Sequence, residues 1–354
     1  LGLSRLEPSI RQRDGAVELD LDATRAPGIE LAPQISYESA LGPRVALDAT
    51  FSNFLHTGTH FQFRGLYDDR EARLTGEWMD IYRPNPSVEY GLGGFLEKRW
   101  FDQGAWSQVT KLAQDRFWGR LQSRFGAEER GLVQVDAGLE QGSSRTSGAM
   151  SPWNRAEYGR VALEWDSLDA HTLPTEGTMI RSAFTRTFHA DQGPLYTTAY
   201  FRARRLWRAP EDSRLPGLDL DLEAGLQKHA PPERWSPLGG PESFIGTASA
   251  SRLAPNFAVL RAGFPFTLDS IFGVAVQAVP RIDLGRIADD YRHLDEGFHA
   301  AGYGIAFRSV IRSFYVELAA GRMRAWNAST HDLVHDSHIS FLIGARPFDL
   351  WQTQ

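Results

Sequence analysis

Apolar and polar residues alternate with a period of two along nearly the whole chain. That pattern limits it to extended strands whose two faces differ in chemistry. Leu218, Leu220, Leu222, Ala224 and Leu226 share one face, and Asp219, Asp221, Glu223, Gly225 and Gln227 share the other. Val133, Val135, Ala137 and Leu139 oppose Gln134, Asp136, Gly138 and Glu140 in the same way. Near the C-terminus Ile339, Phe341, Ile343 and Ala345 oppose His338, Ser340, Gly344 and Arg346, with Leu342 the one apolar residue on the polar face.

Read from end to end, the pattern predicts about sixteen strands, near 28–38, 43–52, 57–68, 70–82, 86–99, 112–125, 129–141, 154–167, 177–189, 193–207, 216–228, 256–265, 268–285, 297–309, 311–322 and 336–347. Most exceed the ~5–6 residues usual for soluble strands and suit a tilted bilayer crossing of ~9–11 residues. The even total matches a single-chain bacterial barrel. No apolar run approaches the ~18–20 residues that a spanning helix needs. A hydrophobic content of 42% is compatible with a barrel, because only alternate strand residues would face lipid. A soluble sandwich is the competing reading, but it would need a second sheet over every apolar face. The expected fold is therefore an all-β, 16-stranded antiparallel transmembrane barrel over residues 28–354, with outer-membrane lipid as its surroundings.

Short joins are expected near Asn53–His56, Pro84–Asn85, Gly126–Glu128, Phe266–Thr267 and Val310, and long ones at 100–111, 142–153, 229–255, 286–296 and 323–335. Short turns on one side and long loops on the other suit a barrel. The segments 168–176 and 208–215 and the joins at Asp69 and Ala190–Gln192 break the rule. Arg116, Arg120, Arg124, Arg202 and Arg204 lie on polar faces and would line a wet lumen. Trp100, Phe101, Trp165, Trp207, Phe348 and Trp351 fall near strand ends, where interfacial aromatic girdles sit. Pro33 in the first strand cannot donate a ladder hydrogen bond, and Gly344 sits near Pro347 in the last. Both are expected to weaken the seam where the barrel closes.

The net charge of −6 and the absence of cysteine leave no electrostatic footprint for nucleic acid and fit an oxidising compartment. No Gly-x-Ser-x-Gly elbow, His-Glu-x-x-His, Walker loop or dinucleotide fingerprint occurs. No catalytic residue and no cofactor are assigned to this segment. His331, Asp332, His335, Asp336 and His338 have the chemistry of metal ligands, but a polar loop with incidental histidines outweighs that reading and no metal site is assigned. Tyr315 and Glu317 share a face and are expected to pair with other polar residues across the lumen.

Several short motifs carry a family resemblance. Leu238-Gly239-Gly240 leading to Ser243-Phe244-Ile245-Gly246 resembles the inward-folded loop of the BamA/TamA-type (bacterial surface antigen) barrel superfamily. Pro280-Arg281-Ile282-Asp283-Leu284-Gly285-Arg286 resembles that family's wall motif, and Ala301-Gly302-Tyr303-Gly304 through Phe314 and Gly321 its penultimate hairpin. Asn53-Phe54-Leu55 with Gly58 resembles its early turn. The resemblance implies a loop that folds inward and an aspartate, Asp283, that receives a loop arginine. Ile245 stands where that arginine is expected and Thr247 where an aromatic is expected, leaving Arg252 as a candidate substitute. An ordinary lumen carboxylate is the other reading of Asp283. Trp165-Asp166-Ser167-Leu168-Asp169 with Leu173-Pro174-Thr175-Glu176-Gly177 resembles a turn of patatin-like, type Vd secreted proteins.

What the resemblance implies is a barrel that anchors, translocates or inserts a polypeptide cargo or passenger, the passenger being in the narrower case an upstream patatin-like lipase. A passive pore for small solutes is the alternative. Residues 1–27, where Val17, Leu19 and Leu21 alternate, are expected to be a linker or the tail of a preceding periplasmic domain. The oligomeric state stays open.

Overall fold

A computed structural model describes residues 3–13, 16–25, 28–39, 42–54, 59–80, 88–100, 109–146, 149–150, 154–170, 173–208, 216–239, 243–247, 252–271, 274–294, 297–311, 314–327 and 333–344. A hairpin comes first: β1 (Leu3–Arg13) pairs antiparallel with β2 (Ala16–Arg25) as a sheet of its own. The wall begins with β3 (Ile29–Glu38), β4 (Gly42–Phe54), β5 (Thr59–Tyr67), β6 (Glu71–Asp80), β7 (Glu89–Trp100) and β8 (Val109–Phe125). It continues through β9 (Gly131–Thr146), β10 (Ala149–Met150), β11 (Asn154–Asp166), β12 (Gly177–Ala190), β13 (Thr197–Trp207) and β14 (Leu218–Lys228). Inside the longest loop, β15 (Ser236–Leu238) pairs with β16 (Arg252–Ala254). The wall ends with β17 (Asn256–Gly263), β18 (Phe266–Ile271), β19 (Val274–Ala288), β20 (Phe298–Ile311), β21 (Phe314–Asn327) and β22 (Leu333–Gly344). β10 leads into β11 and β18 prolongs β17, so the wall is a closed antiparallel barrel of 16 strands.

Closure follows from the alternation. A closed wall has no unpaired edge, and every strand sends one residue set outward and the other into the lumen. Leu92 (62% exposed), Leu121, Val161, Leu222, Leu284 and Ile339 point outward. Asp136, Glu140, Arg202, Asp221, Glu223 and Asp283, drawn from neighbouring positions, are buried inside. A continuous apolar outer surface of this size is far beyond what a protein exposes to water and matches a hydrocarbon solvent.

Two expected joins are misplaced. The sequence suggests a turn at Phe266–Thr267, yet that stretch is strand, and the wall turns between Ile271 and Val274. Pro265 is the cause. It lacks an N–H and interrupts the ladder, but the strand resumes in register, with Gly263 opposite Arg281 and Phe266 opposite Ala278. The following strand is therefore Val274–Ala288 rather than 268–285. The join expected at Val310 likewise falls later, between Ile311 and Phe314. The difference in join length between the two ends is also smaller than expected, and rests mainly on the loop between β14 and β17.

Candidate functional site

That loop folds into the barrel and is held at two places. Its base contacts β8 and β9, the sixth and seventh wall strands. Its tip contacts β19, β20 and β21, the thirteenth to fifteenth, almost half the circumference away. The loop thus crosses the lumen.

The tip, Ser243 to Thr247, is buried, with Ile245 only 2% exposed. It lies against wall glycines. A Cβ on Gly304 would sit 2.5 Å from the Ile245 side chain, on Gly321 2.7 Å from it, and on Gly285 2.8 Å from Phe244. A Cβ on Gly302 would come within 2.7 Å of the Ile245 carbonyl oxygen. These are closer than any real side chain tolerates, so the missing side chains create the seat. Gly246 turns the tip with φ +88°, in the left-handed region that disfavours other residues. Its missing side chain also lets the backbone approach Arg322.

Polar contacts complete the seat. The Ile245 amide donates to Asp283 Oδ2 at 2.7 Å. Arg281, two residues earlier on the same face, donates to both Asp283 oxygens at 2.6 Å. Arg261 on β17 donates to the Ser243 carbonyl and also pairs with Asp221 and Glu223. Asp283 is therefore both a loop receiver and a paired lumen carboxylate. Arg281 in the wall supplies a guanidinium to it, and the Arg252 side chain lies outside the described residues. Gly239 is buried with φ +119°, and Gly240 lies outside the described residues.

The base is held by charge. Pro232–Arg234 forms a single 3₁₀ turn. Arg234 pairs with Glu140 at 2.7 Å and donates to Gln114 Oε1 at 3.2 Å. Arg116 shares Glu140 at 3.0 Å and lies over the Tyr158 ring at 4.6 Å from its centroid. Burial lowers the Arg234 pKa to about 10, with Glu140 opposing that shift. Burial raises the Glu233 carboxyl above its ordinary value, against Arg234 and a hydrogen bond with Ser144. Leu112, Leu253 and Trp235 pack beside this anchor.

Among the described residues, Gln34 to Glu38 of β3 face Gly344 to Ser340 of β22 across the seam. There His338 lies 3.0 Å from Glu38, and Ser39 Oγ is 3.2 Å from His338 Nδ1. The Ser39 amide donates to the Ile339 carbonyl at 2.9 Å.

Other expected residues fall as follows. Tyr315 donates to Glu317 at 2.5 Å and Arg308 donates to the same carboxylate at 2.7 Å, a lumen network. In β22, Asp336 and His338 share one face and His335 takes the other. His331 and Asp332 lie outside the described residues, and no group of three or more metal-ligating side chains occurs among the described ones. The Asp169 turn is a built motif: its carboxylate accepts from the Thr175 amide (2.8 Å), the Thr175 hydroxyl (2.6 Å) and the Glu176 amide (3.2 Å). Burial pushes this carboxyl up, but those bonds and Arg208 outweigh it and hold it below its ordinary value.

No protein-family model matches the sequence, and no curated protein matches it. Solved structures do. The barrel is similar to BamA from Haemophilus ducreyi lacking POTRA domains 1–3, with a TM-score of 0.72 at 12% identity, covering 97% of this chain and 76% of that one. CdiB from Acinetobacter baumannii gives a TM-score of 0.66 at 11% identity, covering 97% of this chain and 65% of that one. CdiB from Escherichia coli gives 0.60 at 15%, covering 96% and 67%.

Proposed function

We propose that this chain is an outer-membrane barrel of a Gram-negative bacterium that inserts, translocates or anchors a polypeptide. The observation that carries the proposal is the loop tip seated on wall glycines across the lumen. A lumen crossed by its own loop is a poor open porin. A loop docked on the wall without joining its ladder is suited to moving aside for a chain. The likeness in fold to BamA and CdiB supports this reading. The segment itself is not an enzyme in this proposal.

In the narrower form of the proposal the passenger is a patatin-like lipase domain joined upstream, with β1 and β2 as part of the connection. The support is the Asp169–Thr175 turn, whose bonds explain why aspartate, threonine and Gly177 stand where they do.

The test uses a photo-crosslinking residue placed in cells at Ile35 or Phe341 beside the seam, at Arg64 in the lumen, or at Leu96 on the far outer wall. Polypeptide adducts are expected at the first three and not at Leu96. A disulfide between Ser36→Cys and Leu342→Cys, which face each other in the seam, should abolish the adducts at Arg64, and a reductant should restore them. Adducts that ignore the disulfide, or equal labelling at Leu96, would overturn the proposal.

A further inference from the structure

The loop leaves one side of the lumen open. A cavity of about 430 Å³ runs beside it, lined along β8 by Leu112, Gln114, Arg116, Arg120, Gln122 and Arg124. Those residues span nearly the whole strand, from next to the loop base to the turn at the opposite end. Twelve residue steps at ~3.3 Å cover about 40 Å of strand, or about 30 Å along the axis at a tilt of ~40°. That equals the hydrocarbon thickness of a bilayer, ~30 Å. Spread over this length, the volume admits water and small ions and leaves no room for a folded chain.

The lining is cationic. Among the described residues nine arginines and four glutamates face the cavity. Several carboxylates that balance the arginines stand behind them: Asp48 holds Arg64, Asp136 holds Arg120 and Arg160, and Glu140 holds Arg116, and none of the three lines the cavity. Water in the cavity therefore meets more guanidinium groups than carboxylates. Arg124 and Arg181 lie near one end and Arg99 near the other, so the charge extends along the path. Arginine along a narrow pore favours anions, and low-dielectric walls focus the field.

We propose that the barrel carries, beside the seated loop, an arginine-lined aqueous conduit bounded by β5 to β13 that passes small inorganic anions such as chloride while the loop stays docked. This goes beyond polypeptide handling, since it needs neither cargo nor movement of the loop.

The experiment uses the purified full chain in a planar bilayer under a potassium chloride gradient. A small steady conductance is expected, with a reversal potential set mainly by chloride. Replacing chloride with gluconate should cut the current, and replacing potassium with N-methylglucamine should not. Arg64→Gln and Arg124→Gln should each lower the chloride-over-potassium preference about tenfold, since one charge about 6 Å from the ion in water changes chloride entry about threefold and potassium entry about threefold the other way. Arg205→Gln, exposed on the outer face, should leave it unchanged. Cation-selective or unselective current, no current from the folded barrel, or an unchanged preference in both lumen variants would overturn the conduit. Seam adducts without anion current would overturn the conduit and leave the polypeptide proposal standing. Anion current without adducts would do the reverse.

Discussion

The two anchors of the long loop hold it by different physics. The tip is held by shape: Ile245 and Phe244 fill spaces left by Gly285, Gly302, Gly304 and Gly321, and a backbone amide meets Asp283. The base is held by charge: Arg234 and Arg116 share Glu140, and Glu233 is buried nearby. A shape lock is insensitive to salt and pH and fails abruptly when its volume changes. A charged anchor can be changed gradually by protonation of its groups. A loop with one anchor of each kind has a fixed end and an adjustable end, and release is expected to begin at the base.

The largest effect is expected at the tip. Gly304→Val would place methyl groups where Ile245 lies, and Gly246→Val would add left-handed strain. Overpacking of this kind costs about 1–3 kcal/mol and backbone strain about as much again. The Ile245 amide should then lose about a hundredfold of its hydrogen-exchange protection, measured in detergent or nanodiscs. Protection unchanged in both variants would show that the glycine seat is not what holds the tip.

These anchors differ in how far the sequence discloses them. The alternation fixes the wall, because a strand with Asp221 and Glu223 on one face and Leu222 on the other has only one stable placement in a barrel. Pro265 misleads because a proline reads as a turn, whereas here it only interrupts a ladder. The motif around Asp283 points to the tip, and Arg281 stands two residues away on the same face, so the partner could have been read from the strand period. Gly302 and Gly304 repeat at that same period and could have been read as a seat. The base anchor could not. Arg234 and Glu140 are far apart in sequence, and their meeting depends on the path of the loop, which no local pattern encodes.

A smaller effect sharpens the role of the relocated arginine. Ile245→Arg alone places a cation among the wall glycines, where Asp283 is already occupied by Arg281. It should loosen the tip. Adding Arg281→Leu frees the carboxylate for the new side chain and should recover part of the loss, a coupling of about 0.5–3 kcal/mol. Additive effects in the double-mutant cycle would mean that the wall arginine does not stand in for a loop arginine.

The smallest expected effect is a pH dependence at the base. Burial raises the Glu233 carboxyl in the docked loop above its value in a released loop. The docked form therefore binds the proton more tightly, and protonation favours docking. This contribution is complete below the ordinary glutamate range and is lost as pH rises through the raised docked value. Proteolysis of the loop in the assembled barrel should thus quicken with rising pH across that window, and Glu233→Gln, neutral throughout, should flatten the profile. The tip should not follow: exchange protection at Ile245 should stay constant over the same window once intrinsic exchange rates are corrected. If Ile245 loses protection in step with the base, the two anchors form one cooperative unit, and the division between a fixed and an adjustable end is wrong.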